Sequence, residues 1–453
     1  MPTDINSRDL IALSHVCRTW REVFLSRASL WTNFTCVHAD QTRAFLERSK
    51  FSPINLWLDK EDPLSLSDPL LQFVHSTHRL KSVTIDGSSE NIQEITACLR
   101  SPAPSLEFLS IDGDCDSEPW QCPPIVADLF DGDLSSLRRL HLLGIHTNFP
   151  WRNMENLTAL TLCHTPTTDI SIENILDFLE SAPLLCSIHL YSAVPMIGAQ
   201  NRRLVSLARL EHMLISGAGL SSPLLDHLLI PIGAKLSIRV ASDGSLVHGI
   251  LPTPLDNLRN LSDFTQIKLH VDKYLAQMQF TGPNGLVNVS PEDVEHDLTS
   301  PVLRSLNWFD TSKTERLKII HTDPLYVADV IHALASMHNL RSLSLNLCKR
   351  PSAFIRALCF PPPSPGTMAC PKLEELMLVL QPQEHQDREI RNVIEMVEVR
   401  ALAGLKLKSL KIASWDGPTH EEVRRLEEHV EHVEHGPGVQ IADEDSGSDW
   451  EDD

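Results

Sequence analysis

The chain has 453 residues and a formal net charge of −21, with 42 % hydrophobic, 22 % charged and 6 % aromatic residues. That balance is ordinary for a globular protein, and the length suits two or three domains or one repeat array. The acidity excludes a general nucleic-acid or anionic-membrane binder, since phosphate contacts need Lys and Arg clusters.

The first element runs from Leu10 to Phe34. Leu10, Leu13, Cys17, Trp20 and Phe24 recur three or four residues apart, the spacing of one helical face, while Ser14, Arg18 and Arg21 fall largely on the other side. Asn6 or Ser7 can cap the start, and Asp9 lies in the first turn, where the helix dipole favours an acid. Ser26-Arg27-Ala28-Ser29 interrupts the pattern, and Leu30, Trp31 and Phe34 form a second apolar cluster. Two short helices cannot bury Trp20 and Trp31 alone, so a partner surface is needed, from this chain or another. Read from the pattern alone, the stretch is an amphipathic hairpin that caps the domain behind it.

Leu10-Ile11-Ala12-Leu13-Ser14, Val16-Cys17-Arg18-x-Trp20-Arg21-Glu22 and Ser29-Leu30-Trp31-Thr32-Asn33 resemble the second half of an F-box, as found in the large fungal group of F-box proteins. Arg43 to Ser49, with Pro53-Ile54-Asn55-Leu56 after it, is similar to the segment C-terminal to the F-box in that group. The resemblance implies a substrate-recognition subunit of a cullin-type (SCF) ubiquitin ligase. It also implies that Leu10, Leu13, Val16, Cys17, Trp20 and Trp31 are adaptor contacts or F-box core. The family's opening helix carries a Leu-Pro-x-Glu-Ile-Leu type signature, and residues 1–9 carry none of it. A truncated F-box that binds the adaptor weakly is therefore the expectation.

From Leu80 a motif recurs in the form Leu-x-x-Leu-x-Leu. Copies begin at Leu80, Leu106, Leu137, Leu157, Leu185 and Leu210, then at Phe264, Leu303, Leu340, Leu373 and Leu407, with a degraded copy at Lys235 to Val240. The fourth and sixth residues alternate with polar ones, which is the strand period. Starts in the first half lie 20 to 31 residues apart, against a leucine-rich-repeat period of roughly 20–29. Ile172 to Ser181, Leu325 to Met337 and Glu389 to Leu402 read as helices between strands. The predicted fold is an α/β leucine-rich-repeat-like solenoid of parallel strands and outer helices, in which one unit cannot bury its own apolar face. Trp120 to Pro124 reads as a loop and Phe360 to Gly366 as an extended surface linker. Val271 to Ser300 reads as an insertion with a hairpin turn at Gly282-Pro283-Asn284-Gly285.

Near the C-terminus, Thr419 and Glu422 form a possible capping box, and the helix they open is expected to run to about His435. Val423, Leu426, Val430 and Val433 make its apolar stripe, and Gly436-Pro437-Gly438 ends it. Residues 442–453 include seven acidic residues and too little apolar surface to order by burial, so disorder is expected. Ser446 and Ser448 each precede an acid by three positions, a pattern that suits an acid-directed kinase. The expected organisation is thus 1–35 truncated F-box-like helices, 36–415 repeat domain, 416–441 capping helix and 442–453 acidic tail.

No catalytic constellation stands out: there is no phosphate loop, no nucleophile elbow and no H-E-x-x-H. Gly217-Ala218-Gly219 lacks a third glycine and reads as a turn. His429, His432 and His435 read as a solvated helical face rather than metal ligands. None of the ten cysteines forms a C-x-x-C pair, so reduced core thiols are expected, without bridges or zinc. Met1 is followed by polar residues, so no secretory signal is expected, and no membrane span either. The expected protein is a non-enzymatic interaction subunit without cofactor, cytoplasmic or nuclear. Its partners would be the SCF adaptor and a target protein, with no nucleic acid and no membrane. The other reading is a repeat-type scaffold without a ligase role.

Overall fold

The structure is a computed structural model. It describes residues 7–35, 39–58, 73, 75–113, 129–145, 154–164, 172–191, 203–217, 224–241, 257–258, 263–271, 276–292, 303, 306, 309–321, 327–348, 351–359, 368–380, 386–414 and 417–436. The expectations for Trp120 to Pro124, Phe360 to Gly366, Cys36, Cys115, Cys122 and the tail at 442–453 lie outside these residues. The chain divides into two compact units, Met1–Ala234 with Leu251–Arg259 and Lys235–Ile250 with Asn260–Asp453, a division the repeat pattern does not announce.

Unit 1 opens with helices α1 (Ser7–Ser14) and α2 (Arg18–Ser26), strand β1 (Asn33–Thr35), helix α3 (Ala39–Ser49) and strand β2 (Ile54–Leu58). The repeat strands come next: β3 (Leu80–Gly87), β4 (Phe108–Gly113), β5 (Arg139–Leu143), β6 (Ala159–Cys163) and β7 (Ser187–Tyr191). Then come β8 (Val205–Ser206), β9 (His212–Ser216) and β10 (Leu228–Leu229), with α4 (Ser89–Cys98) and α5 (Ile172–Ser181) between earlier strands. From β1 to β7, and on to β9, each strand pairs in parallel with the next. β8 and β10 form a separate parallel pair.

Unit 2 contains β11 (Lys235–Ala241), β12 (Gln266–Val271), β13 (Ala276–Gly282), β14 (Gly285–Glu292), β15 (Arg316–His321) and β16 (Ser342–Cys348). Further on are β17 (Glu375–Leu380), β18 (Ser409–Ala413) and β19 (His432–Gly436). Its helices are α6 (Val327–Ala335), α7 (Ser352–Cys359), α8 (Gln386–Leu402) and α9 (His420–Glu427). β12, β15, β16, β17, β18 and β19 run parallel in that order, and β11 is parallel to β14. β13 is antiparallel to both β12 and β14, so the expected hairpin exists and its turn joins Gly282 to Gly285. Both units are leucine-rich-repeat-like, with mixed α/β structure and parallel strands.

The repeat's own chemistry explains the ladder. The first leucine and the fourth and sixth positions of the copies are buried: Leu106, Leu109 and Ile111, for example, or Leu340, Leu343 and Leu345. In seven copies another buried apolar residue lies three before the first leucine, and its carbonyl oxygen accepts from that leucine's amide. Ala103–Leu106, Leu134–Leu137, Met154–Leu157, Ala182–Leu185, Leu207–Leu210, Met337–Leu340 and Cys370–Leu373 are such turns. These seven repeats thus enter their strands through a turn that satisfies backbone groups while it seats one more apolar side chain.

Several expectations are corrected. The Leu10–Phe24 helix is two helices, broken at residues 15–17, where the extended Cys17 caps α2 by accepting from the Trp20 amide at 3.5 Å. The break rotates the two halves out of one face, so Ser14 is buried and Cys17 exposed. The copy at Leu303 forms no strand among its described residues. Leu303 and Leu306 are buried there, and the strand is Arg316–His321 instead. The terminal helix ends at Glu427, and residues 432–436 join the sheet beside β18. Its capping box at Thr419 and Glu422 is formed as expected. Of the six free cysteines described, only Cys370 is buried.

Candidate interaction surfaces

Of the residues that the resemblance singles out, two are core. Leu10 is buried, and Trp31 has 0 % exposure. The Trp31 indole donates from Nε1 to the Phe24 carbonyl oxygen at 2.9 Å. Its ring stands edge-on to Phe45 at 5.0 Å, and the Arg48 guanidinium lies 4.4 Å from its centroid. Phe34 continues the cluster to Phe45 and Phe73. Trp31 is therefore covered by α3 and its own chain neighbours, within this chain.

The others face outward. Val16 is 62 % and Trp20 46 % exposed, Cys17 is exposed, and Leu13 is half-buried. Helix α2 buries no residue at all. Trp20 stacks on Phe24 at 5.9 Å and 21°, and Val23, one turn from Trp20, is also exposed. Leu25, exposed as well, lies on the opposite side of the helix. Sequence periodicity did not flag Val23; the signal for it was its place three residues after Trp20.

A second kind of surface is the side of each sheet that the leucines do not use. In unit 1 it carries Trp57, which is largely exposed, Phe108 beneath the Arg139 guanidinium at 5.1 Å, and Tyr191 edge-on to His189. Burial holds the His141 and His189 imidazoles below the ordinary histidine value; Asp112 partly opposes this at His141, and His212 and His141 reinforce it at His189.

Among the described residues no group of three or more His, Cys, Asp or Glu is placed to hold a metal ion. His432 and His435 lie on a strand, three apart and so on opposite sides of it, which removes the helical histidine face. A groove of about 480 Å³ is lined by Glu155, Asn156, Glu180, Ser181, Pro183 and Leu184, but Glu180 is engaged by Arg203. Among the described residues, no helix is long and apolar enough to cross a membrane.

No protein-family profile matches the chain, and no curated protein matches it. Among solved structures, the chain aligns with an internalin from Listeria monocytogenes at 12 % identity, over 88 % of this chain and 89 % of that one, with a TM-score of 0.26. At that score the likeness carries no argument, and the assignment of the fold rests on the strand ladder itself.

Proposed function

We propose that the chain is a protein-binding subunit whose N-terminal helices engage the adaptor of a cullin-type ubiquitin ligase and whose repeat strands hold a target protein. The observation that carries this reading is the open apolar pair of Trp20 and Val23, one turn apart on a helix that buries nothing, with Val16 exposed just before that helix's cap. Large apolar side chains left open in a contiguous strip mark protein contacts, and Trp anchors dominate binding energy once covered. The identity of the partner comes from the F-box resemblance. On this reading the chain does no covalent chemistry, raises the ligase's rate by proximity, and works in the cytosol or nucleus.

The second reading, a scaffold without a ligase role, is favoured by the burial of Trp31 within the cap, where it serves this chain's own core. Trp20→Ala separates the two. If α2 docks on the adaptor, a titration of the full chain with adaptor loses at least tenfold in affinity upon this change, with the melting temperature unmoved. Equal, or equally absent, binding by both proteins leaves the scaffold reading standing.

A further inference from the structure

A helix in a domain ordinarily keeps its orientation by burying an apolar face. Helix α2 buries no residue, so its two ends must hold it. At the first end it packs against α1, from which the turn at residues 15–17 separates it. Buried Leu10 and Ser14 seat α1, and the Cys17 thiol accepts from the Trp20 amide.

The other end is held differently. The last four carbonyl oxygens of a helix have no partner within it. Here the Ser26 hydroxyl donates to the Val23 carbonyl at 2.8 Å. The Phe24 carbonyl oxygen accepts twice, from the Arg27 amide at 3.3 Å and from Trp31 Nε1 at 2.9 Å. The Arg27 bond belongs to the helix end itself, whereas the Trp31 bond ties that end to a fixed point. Trp31 has 0 % exposure, and its ring lies between the edge of Phe45 and the Arg48 guanidinium, both on α3.

Phe24 joins the two tryptophans. The buried one holds its carbonyl oxygen, and the exposed one, Trp20, stacks on its ring at 5.9 Å. Exposed Val23 is the residue before it. The bond at Phe24 thus fixes the turn of helix on which the open apolar pair is displayed.

We propose that Trp31 is a positioning residue for that pair: its indole N–H, through the Phe24 carbonyl, holds α2 in the orientation that presents Trp20 and Val23 to a partner. The consequence for adaptor affinity rests on the reading of α2 as the docking helix. A helix released at one end samples orientations that do not fit, and the apparent affinity falls with the fraction of chains still correctly set. One neutral hydrogen bond is worth up to about tenfold in such an equilibrium. The burial of one tryptophan and the exposure of the other are then two parts of one arrangement.

The test compares three full-length chains. They are wild type; Trp31→Phe, which keeps a ring in the core and removes the donor; and Phe45→Leu, which loosens the same cluster and leaves the donor in place. Amide hydrogen exchange is followed in α2, α3 and strands β3 to β5, and the adaptor is titrated into each chain. In Trp31→Phe, α2 is expected to exchange about tenfold faster and adaptor affinity to fall about tenfold, with β3 to β5 unchanged. In Phe45→Leu, α3 is expected to exchange faster while α2 and the affinity stay at their wild-type values. Unchanged exchange of α2 in Trp31→Phe overturns the proposal. Equal acceleration of α2 by both variants also overturns it, since Trp31 then acts only through core packing. So does faster exchange of α2 with wild-type affinity, because the pair then needs no positioning. A further variant carries at position 31 the tryptophan isostere with sulfur in place of the ring N–H, which fills the same space and cannot donate. It is expected to match Trp31→Phe, and wild-type exchange of its α2 overturns the proposal. If no chain binds the adaptor, the adaptor reading fails, while the exchange rates of α2 still decide the role of Trp31.

Discussion

Arg400 donates from Nη2 to the Cys370 carbonyl oxygen at 2.9 Å, and from Nη1 to the neighbouring Ala369 carbonyl at 3.0 Å, with its side chain wholly buried. It thereby clamps, from α8, the turn that leads into β17. Cys370 holds a left-handed backbone there, with φ of 48°. Among the described residues no carboxylate pairs with this guanidinium, and its Nε is unsatisfied. Burial pushes its pKa down. Arg400→Ala leaves two carbonyls unpaired beside a cavity and should cost about 3–5 kcal/mol. Arg400→Met, which fills the space and removes the buried charge, should cost less than half as much. Urea denaturation of both variants checks the order, and equal costs would mean that the lost hydrogen bonds dominate and that filling the space contributes nothing.

Two buried positions of neighbouring repeats should respond with opposite signs. Leu343 is fully buried in β16, so Leu343→Ala should cost roughly 2–5 kcal/mol, as should Leu140→Ala in β5. Thr314 occupies the first position of its copy, where most of the others carry leucine. It is fully buried, and its hydroxyl has no hydrogen-bond partner. Thr314→Val keeps the shape and removes the unpaired group, so it should stabilise by about 1 kcal/mol. Denaturation midpoints of the variants decide both.

The two depressed histidines set a pH dependence. His141 and His189 hold protons less well in the folded chain than at the ordinary value of 6.5, mainly through burial. The unfolded chain therefore binds more protons, and stability rises with pH wherever that holds. Their contribution is complete above 6.5 and is lost as pH falls below it. The double variant His141→Gln/His189→Gln should lose less stability than wild type between pH 7.5 and 5.5. An unchanged difference between the two pH values would remove these imidazoles from the account.

Thiol chemistry should sort the cysteines by place. Burial pushes the Cys370 thiol up to about 12 and the Cys359 thiol up to about 11, against the weaker opposing effect of Arg400. Cys17 is exposed. Alkylation at pH 8 with subsequent peptide mapping should therefore modify Cys17 in the native chain, and Cys370 only after denaturant is added. Rapid native labelling of Cys370 would show that its turn opens readily.

The strands within the copies that begin at Leu80, Leu106, Leu137, Leu157, Leu185, Leu210, Leu340, Leu373 and Leu407 were legible because their apolar residues recur with period two after a leading leucine. Arg316–His321 was hidden because its copy opens on Thr314, and Leu303 supplied a leucine-rich decoy. β19 was hidden by chemistry of another period: Glu428, Glu431 and Glu434 recur at helical spacing, while Val430 and Val433 occupy the first and fourth places of a repeat. Its pairing with β18 overrides that local signal. At the N-terminus the spacing of Leu10, Cys17 and Trp20 resembled one helix. Spacing alone does not report the cap at Cys17 that splits it, nor which of the two tryptophans the chain covers by itself.

The antiparallel excursion β12–β13–β14 has a consequence for how unit 2 assembles. Parallel neighbours such as β16 and β17 can pair only after some thirty residues have been looped out and their ends brought together, an entropic cost that precedes any gain. β13 and β14 are joined by Pro283 and Asn284 alone, and hairpins of this size close within microseconds. The cheapest β structure in unit 2 is therefore in its middle, and each of its outer strands is parallel to a partner, β14 to β11 and β12 to β15. Chain collapse that begins at this hairpin presents two ready templates, so the parallel ladder can grow from it towards both ends rather than from either terminus.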